Sequence, residues 1–91
     1  MTLWHLEIRV VPRPGLLDPE GKAIQHALHS LDYEGIQNVR VGKLLYLDIE
    51  APSEEEARKQ GEDMCHHILA NPVMEDFDIE AHRVIEEQKK L

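Results

Sequence analysis

From Leu3 to Val11 the chain alternates without a break: Trp4, Leu6, Ile8 and Val10 share one parity, and His5, Glu7, Arg9 and Val11 the other. A strand of this period sends alternate side chains to opposite faces, so it reads as half-buried with its even positions toward the core. The pattern returns from Met74 to His82, where Phe77, Ile79 and Ala81 alternate with Asp76, Asp78, Glu80 and His82. A sheet that is apolar on one side needs a covering layer, and the segments between these strands have the spacing to supply it as helices.

The first helix is predicted within residues 17–31, LDPEGKAIQHALHSL. Asp18 suits the N-cap, Pro19 the first helical position and Glu20 the positive helix end. Ala23, Ile24, Ala27, Leu28 and Leu31 recur at helical spacing and form an apolar stripe. Pro12 to Gly15 break the preceding strand, and Gly35 is expected to close the helix. The second helix opens at Pro52 and Ser53, where Ser53 and Glu56 have capping-box spacing. Its stripe is Ala57, Gly61, Met64, Cys65, Ile68 and Leu69, and Asn71 followed by Pro72 stops it.

Residues 36–50 read as extended. Val39, Val41, Leu45, Leu47 and Ile49 keep one parity across Gly42 and Lys43, which favours one long strand bent at the glycine. The alternative is two strands with a turn there, giving a ferredoxin-like βαββαβ order. The preferred fold is therefore an α+β two-layer sandwich, β-α-β-α-β, its sheet mainly antiparallel and both helices on one face. Residues 1–83 are expected to form a single domain and residues 84–91 a charged C-terminal tail that frays or forms a short helix.

Ninety-one residues bury only a thin core, so self-association is a natural way to bury more. Val11, Leu44 and Tyr46 on the outer sheet face are the candidate dimer interface. Ten basic against eighteen acidic residues give a net charge of −8, which disfavours nucleic acid and anionic membrane surfaces as partners. The single cysteine rules out an internal disulfide, and the charged, alternating N-terminus is neither a signal-peptide core nor a membrane span. A cytoplasmic location is expected.

Catalytic chemistry finds little support in the residues. His26 and His29 lie three apart on one helix and His66 and His67 add two imidazoles, but neighbouring helical residues point about 100° apart, so no metal set is expected. Cys65 lies inside an apolar stripe, where a thiol behaves as a small hydrophobe. The five glycines are scattered and build no phosphate loop, so no cofactor is expected in this chain. The acidic runs at 54–56 and 75–80 are explained by helix capping and a solvated strand face.

The segment LDPEGKAIQHALHSL, with VRVGK at 39–43 and LANPVMEDFDIE at 69–80, resembles the PurS family, the small subunit of phosphoribosylformylglycinamidine (FGAM) synthase. The motifs stand in the family's order and spacing over most of the chain, although Asp32, Tyr33 and Glu34 replace a more usual glycine-containing turn. The resemblance implies a non-catalytic subunit of a ligase of purine biosynthesis. That complex converts formylglycinamide ribonucleotide and glutamine to the amidine and glutamate. ATP and Mg would be used by the synthetase subunit, PurL, and ammonia released by the glutaminase, PurQ. The small subunit would dimerise, bridge both partners and assist ammonia transfer. Within the matched motifs, Lys22, Gln25, His26, His29, Arg40 and Lys43 are polar positions that the hydrophobic pattern does not require, and they are the candidate partner contacts. The rival reading is a stand-alone small-ligand or metal-binding regulatory domain of ferredoxin-like shape.

Overall fold

The computed structural model describes residues 1–15 and 18–84. Its sheet has three strands, β1 (Thr2–Pro12), β2 (Lys43–Ala51) and β3 (Glu75–Arg83), in the order β2-β1-β3 and antiparallel throughout. With helices α1 (Pro19–Ser30) and α2 (Glu54–Met64) the chain order is the expected β-α-β-α-β. Register places Leu6 between Leu47 and Ala81, and Ile8 between Leu45 and Ile79. The even positions of β1 do face the core: Leu6, Ile8 and Val10 are wholly buried. Trp4, half-buried at the rim, donates its indole N–H to the Ala51 carbonyl at 3.2 Å.

The strand predicted over 36–50 begins only at Lys43. Its last partner on β1 is Val10, beyond which β1 runs into Pro12, Arg13 and Pro14, so residues 36–42 have no ladder to join. Asn38 takes a left-handed φ of 56° and interrupts the extended run. Neither a long bent strand nor a fourth strand forms within 36–42. Leu45, Leu47 and Ile49 do face the helix side, as their parity requires.

Helix α1 ends earlier than Gly35. Leu31 is its C-cap and Asp32 adopts φ 74°. The Asp32 N–H donates to His29 O and the Tyr33 N–H to Leu28 O, each at 3.0 Å. This is a Schellman closure in which a short polar residue occupies the left-handed position usually taken by glycine.

α2 begins as expected, with the Ser53 hydroxyl accepting from the Glu56 N–H at 3.1 Å. The other half of the capping box is replaced, because the Glu56 carboxylate accepts from Gln60 instead. Ala57, Gly61 and Cys65 pack on the sheet, while a π-helical turn over Cys65–Leu69 carries Ile68 into solvent at 78% exposure. One extra residue in that turn moves the apolar contact on to Ala70, which is buried.

The expected arrangement of both helices on one sheet face needs correcting. α2 is the helix that packs on all three strands. α1 stands off, with Gly21 its one buried residue. The radius of gyration is accordingly 16.8 Å, against about 12 Å for a compact chain of this length. Of the expected C-terminal tail, Val84 is still tied to β1, its N–H donating to Leu3 O at 3.0 Å; residues 85–91 lie outside the described residues.

Candidate functional site

Because β1 and β2 are adjacent and antiparallel, the chain between them leaves and re-enters the sheet at the same end. It goes out along α1 and returns through residues 36–42, forming an arm. Asp18 holds the arm's root. One carboxylate oxygen accepts the Gly21 N–H at 3.0 Å, the helix cap expected from sequence, and the other accepts the Val41 N–H at 2.9 Å. The Gly21 and Val41 N–H groups, with the nearby Arg40 guanidinium, hold the Asp18 carboxyl below the usual carboxylate range, against a smaller opposing effect of burial. Arg40 adds a second clasp, its guanidinium donating to Pro12 O at 2.8 Å. At the tip, the His29 ring meets Ile36 O at 3.0 Å.

Between helix and return segment lies a cleft of about 690 Å³, bounded by Asp18, Lys22, Gln25, Asn38, Val39 and Arg40, with Pro14 and Gly15 at its mouth. Three of the six candidate partner contacts, Lys22, Gln25 and Arg40, therefore converge on one concave surface. Helical spacing brings Lys22 and Gln25 together; the return segment brings Arg40 to them. Two cations and two side-chain amides in a chain of net charge −8 make a local site for a carboxylate or another acceptor-rich group. The other three candidates lie elsewhere. His29 ties the arm's tip, His26 is exposed on α1, and Lys43 opens β2 opposite Val10. Sequence reasoning found Asp18 as a cap and missed its second bond to Val41, for which the sequence offers no local signal across 23 residues. Asn38 was also missed.

Asp18→Asn separates the two roles. Asparagine caps helices about as well as aspartate, but only one of its terminal atoms accepts, so the cap survives and the bond to Val41 is lost. The variant is expected to unfold at a lower temperature than the parent at pH 7, with the gap narrowing as pH falls through the depressed carboxyl range. A group whose folded pKa is lowered stabilises the fold above its unfolded pKa and loses that contribution as it protonates. Thermal unfolding at pH 7 and pH 3 checks this; equal midpoints at pH 7 would remove Val41 from the clasp.

The outer sheet face carries Val11, Leu44 and Tyr46, 40%, 48% and 45% exposed. Charged groups run between them. Arg9 meets Asp78 at 3.4 Å and Glu80 at 3.5 Å, and His5 meets Asp48 at 2.8 Å while stacking on Tyr46. Cys65 is buried, and burial together with the Glu62 carboxylate pushes its thiol above the ordinary value, so it packs as a neutral side chain. Among the described residues no three His, Cys, Asp or Glu side chains converge as a metal set. Nor is any described helix long and apolar enough to cross a membrane.

Residues 5–83 match the family model of PurS, described as phosphoribosylformylglycinamidine (FGAM) synthase. A relative from Synechocystis, named phosphoribosylformylglycinamidine synthase subunit PurS, is 44% identical over 85% of this chain and 77% of its own length. The subunit of the same name from Bacillus subtilis is 39% identical over 91% of this chain and 98% of its own. Among solved structures, a crystal form of B. subtilis PurS superposes with a TM-score of 0.78 at 39% identity, covering 87% of this chain and 98% of that one. A PurS-like chain in a structure of PurLQS from Thermotoga maritima superposes with a TM-score of 0.80 at 29% identity, covering 90% of this chain and all of that one (100%).

Proposed function

The chain belongs to the PurS family, and we propose that it is the small, non-catalytic subunit of FGAM synthase, joining the glutaminase PurQ to the synthetase PurL. The observation that carries this is the likeness over nearly the full fold to a chain within the PurLQS structure from Thermotoga maritima. The residues agree with it. A thin-cored acidic domain presents a polar cleft and a mixed outer sheet face, and its described histidines and cysteine are dispersed, buried or engaged in holding the fold.

In this reading the cleft at Lys22, Gln25 and Arg40 receives an acidic group of a partner subunit, and directed charge-assisted contacts fix the docking register. His26, exposed on α1, and Lys43, at the start of β2, offer further partner contacts outside the cleft. ATP and Mg act in the synthetase subunit, residues 1–83 are the assembling domain, and the complex works in the cytoplasm. The outer sheet face with Val11, Leu44 and Tyr46 offers a contact between copies.

Reconstitution with the cognate PurQ and PurL tests the assignment. Leaving the chain out is expected to abolish glutamine-dependent synthesis of the amidine while synthesis from free ammonia persists, since only the former requires a docked glutaminase. Lys22→Ala and Arg40→Ala are expected to lower the glutamine-dependent rate roughly tenfold each, as loss of a central charged contact does. Equal losses in both assays would move the cleft's contact to the synthetase. Undiminished glutamine-dependent synthesis without the chain would overturn the bridging role.

A further inference from the structure

The cleft between α1 and the return segment is a site for anions that holds a fixed negative charge of its own. The polar bonds around it run from the Gly21 and Val41 N–H groups to Asp18 and from Arg40 to Pro12 O. Among the described residues none engages the side chains of Lys22, Gln25 or Asn38 on the same walls. Arg40 spends one terminal guanidinium nitrogen on Pro12 and keeps its other donors. Donors therefore prevail, and the missing partner is rich in acceptors. Asp18 opposes it with a carboxylate that cannot swing out, because each oxygen holds a backbone N–H, and those same bonds favour its charged form. Two cations against one carboxylate leave a single net positive charge in the cleft. That balance suits one carboxylate and disfavours a phosphate dianion or two adjacent acids.

The walls indicate what carries the carboxylate. Lys22, Asn38 and Arg40 are exposed and Gln25 and Val39 half-buried, so a free small molecule would keep much of its surface in water, whereas small-ligand pockets cover most of what they bind. A segment of a larger protein brings the missing wall with it. Gln25 and Asn38 stand on opposite walls, and their amides both donate and accept, which is what a peptide group asks for. Asn38 does so from a left-handed φ of 56°, a conformation that asparagine reaches more readily than most side chains.

We propose that the cleft reads one acidic side chain on an extended segment of a partner protein, with Lys22 and Arg40 on its carboxylate, Gln25 and Asn38 on the adjoining peptide group, and Asp18 rejecting a second acid beside it. The proposal rests on the docking reading above and adds what the docked segment is: a lone acid with neutral or basic neighbours. Asp18 is then a specificity residue as well as a clasp, since discrimination is gained from repulsion as much as from attraction.

The test titrates the full chain, isotope-labelled for NMR, with probes at up to about 10 mM, a range that registers one charge-assisted contact. The probes are the peptide acetyl-Gly-Ser-Glu-Ser-Gly-amide, its glutamine counterpart, a version with two adjacent glutamates, inorganic phosphate and acetate. The single-acid peptide is expected to shift the side-chain NH2 signals of Gln25 and Asn38, to leave that of Gln60 on α2 unmoved, and to bind roughly fivefold or more tightly than any other probe. Lys22→Ala should weaken it roughly tenfold. Asn38→Gly, which keeps the left-handed backbone without strain and removes only the amide, should weaken it roughly fivefold. Asp18→Asn should bring the two-acid peptide level with the single-acid one; the ratio is the readout, because a loosened clasp weakens both alike. Unmoved Gln25 and Asn38 signals, a parent that binds phosphate, acetate or the two-acid peptide as tightly, or an unchanged ratio in Asp18→Asn would each overturn the lone-acid reading. If selectivity fails while Lys22→Ala and Arg40→Ala still lower glutamine-dependent synthesis, only that reading falls. A coupled rate insensitive to both variants overturns the docking on which it rests.

Discussion

Leu6→Ala is expected to destabilise the protein by roughly 2 to 5 kcal/mol, the usual range for truncating a buried leucine. Leu6 is wholly buried at the middle of the central strand, between Leu47 and Ala81 in register. It also reaches α2, since a methyl built on Gly61 would stand 3.0 Å from its Cδ1. The site is poorly able to collapse into the lost volume. Leu6 sits on the central strand between two neighbouring strands and under a helix already at close approach, and three other members of the buried core, Ala51, Ala57 and Ala70, are too small to supply it. Domains of this size are stable by only about 5 to 15 kcal/mol, so the substitution removes a large share of the total. Urea unfolding should show a much lower midpoint, with Lys59→Ala on the exposed side of α2 staying within about 0.5 kcal/mol of the parent. A Leu6→Ala midpoint equal to that of Lys59→Ala would mean that the strand is not the centre of the core.

The same residues explain which parts of the fold were legible. Period-two alternation identified β1 and β3 and their inward parity, because a strand buried on one face has no freedom to shift by one residue. Caps at Asp18 and Ser53 marked two helix starts, since the four orphan N–H groups of a helix must find partners locally. Helix ends were less legible. The left-handed position after α1 is filled by Asp32, a residue that reaches that conformation less readily than glycine, and Gly35 drew the boundary too far. The π turn at 65–69 inserts a residue without any sequence mark, and Ile68 left the stripe with it.

Long-range features were legible only in part. The α1 stripe says that the helix needs a cover, and says nothing of which sheet provides it. Periodicity is a property of one element, whereas the clasp that holds α1 off its own sheet joins residues 23 positions apart. For the same reason Lys22 and Gln25 could be paired from spacing, while the arrival of Arg40 beside them depends on residues 36–42 returning along the helix instead of pairing as a strand.

Gly21→Ala should reverse the usual sign of a glycine-to-alanine change in a helix. In an open helical position alanine is favoured by about 0.5 to 1 kcal/mol, because glycine has more backbone freedom to lose. At Gly21 a Cβ would run into the Val39 carbonyl oxygen and lie 2.7 Å from the Asp18 carboxylate. A long side chain could swing aside, but this neighbour is backbone, and the return segment that bears it is fixed by Val41 on Asp18 and by Arg40 on Pro12. Relief therefore requires the return segment to lift from the helix, which breaks the Asp18 to Val41 bond and opens the cleft. Overpacking of this kind commonly costs about 1 to 3 kcal/mol, enough to exceed the helical gain. Gly35→Ala supplies the comparison, since nothing lies within 4 Å of a methyl there, and it should be neutral or slightly stabilising. Thermal unfolding of the two variants side by side reads the difference. A Gly21→Ala protein as stable as Gly35→Ala would show that helix and return segment can separate freely, and a cleft walled by both could then hold no fixed register for a partner.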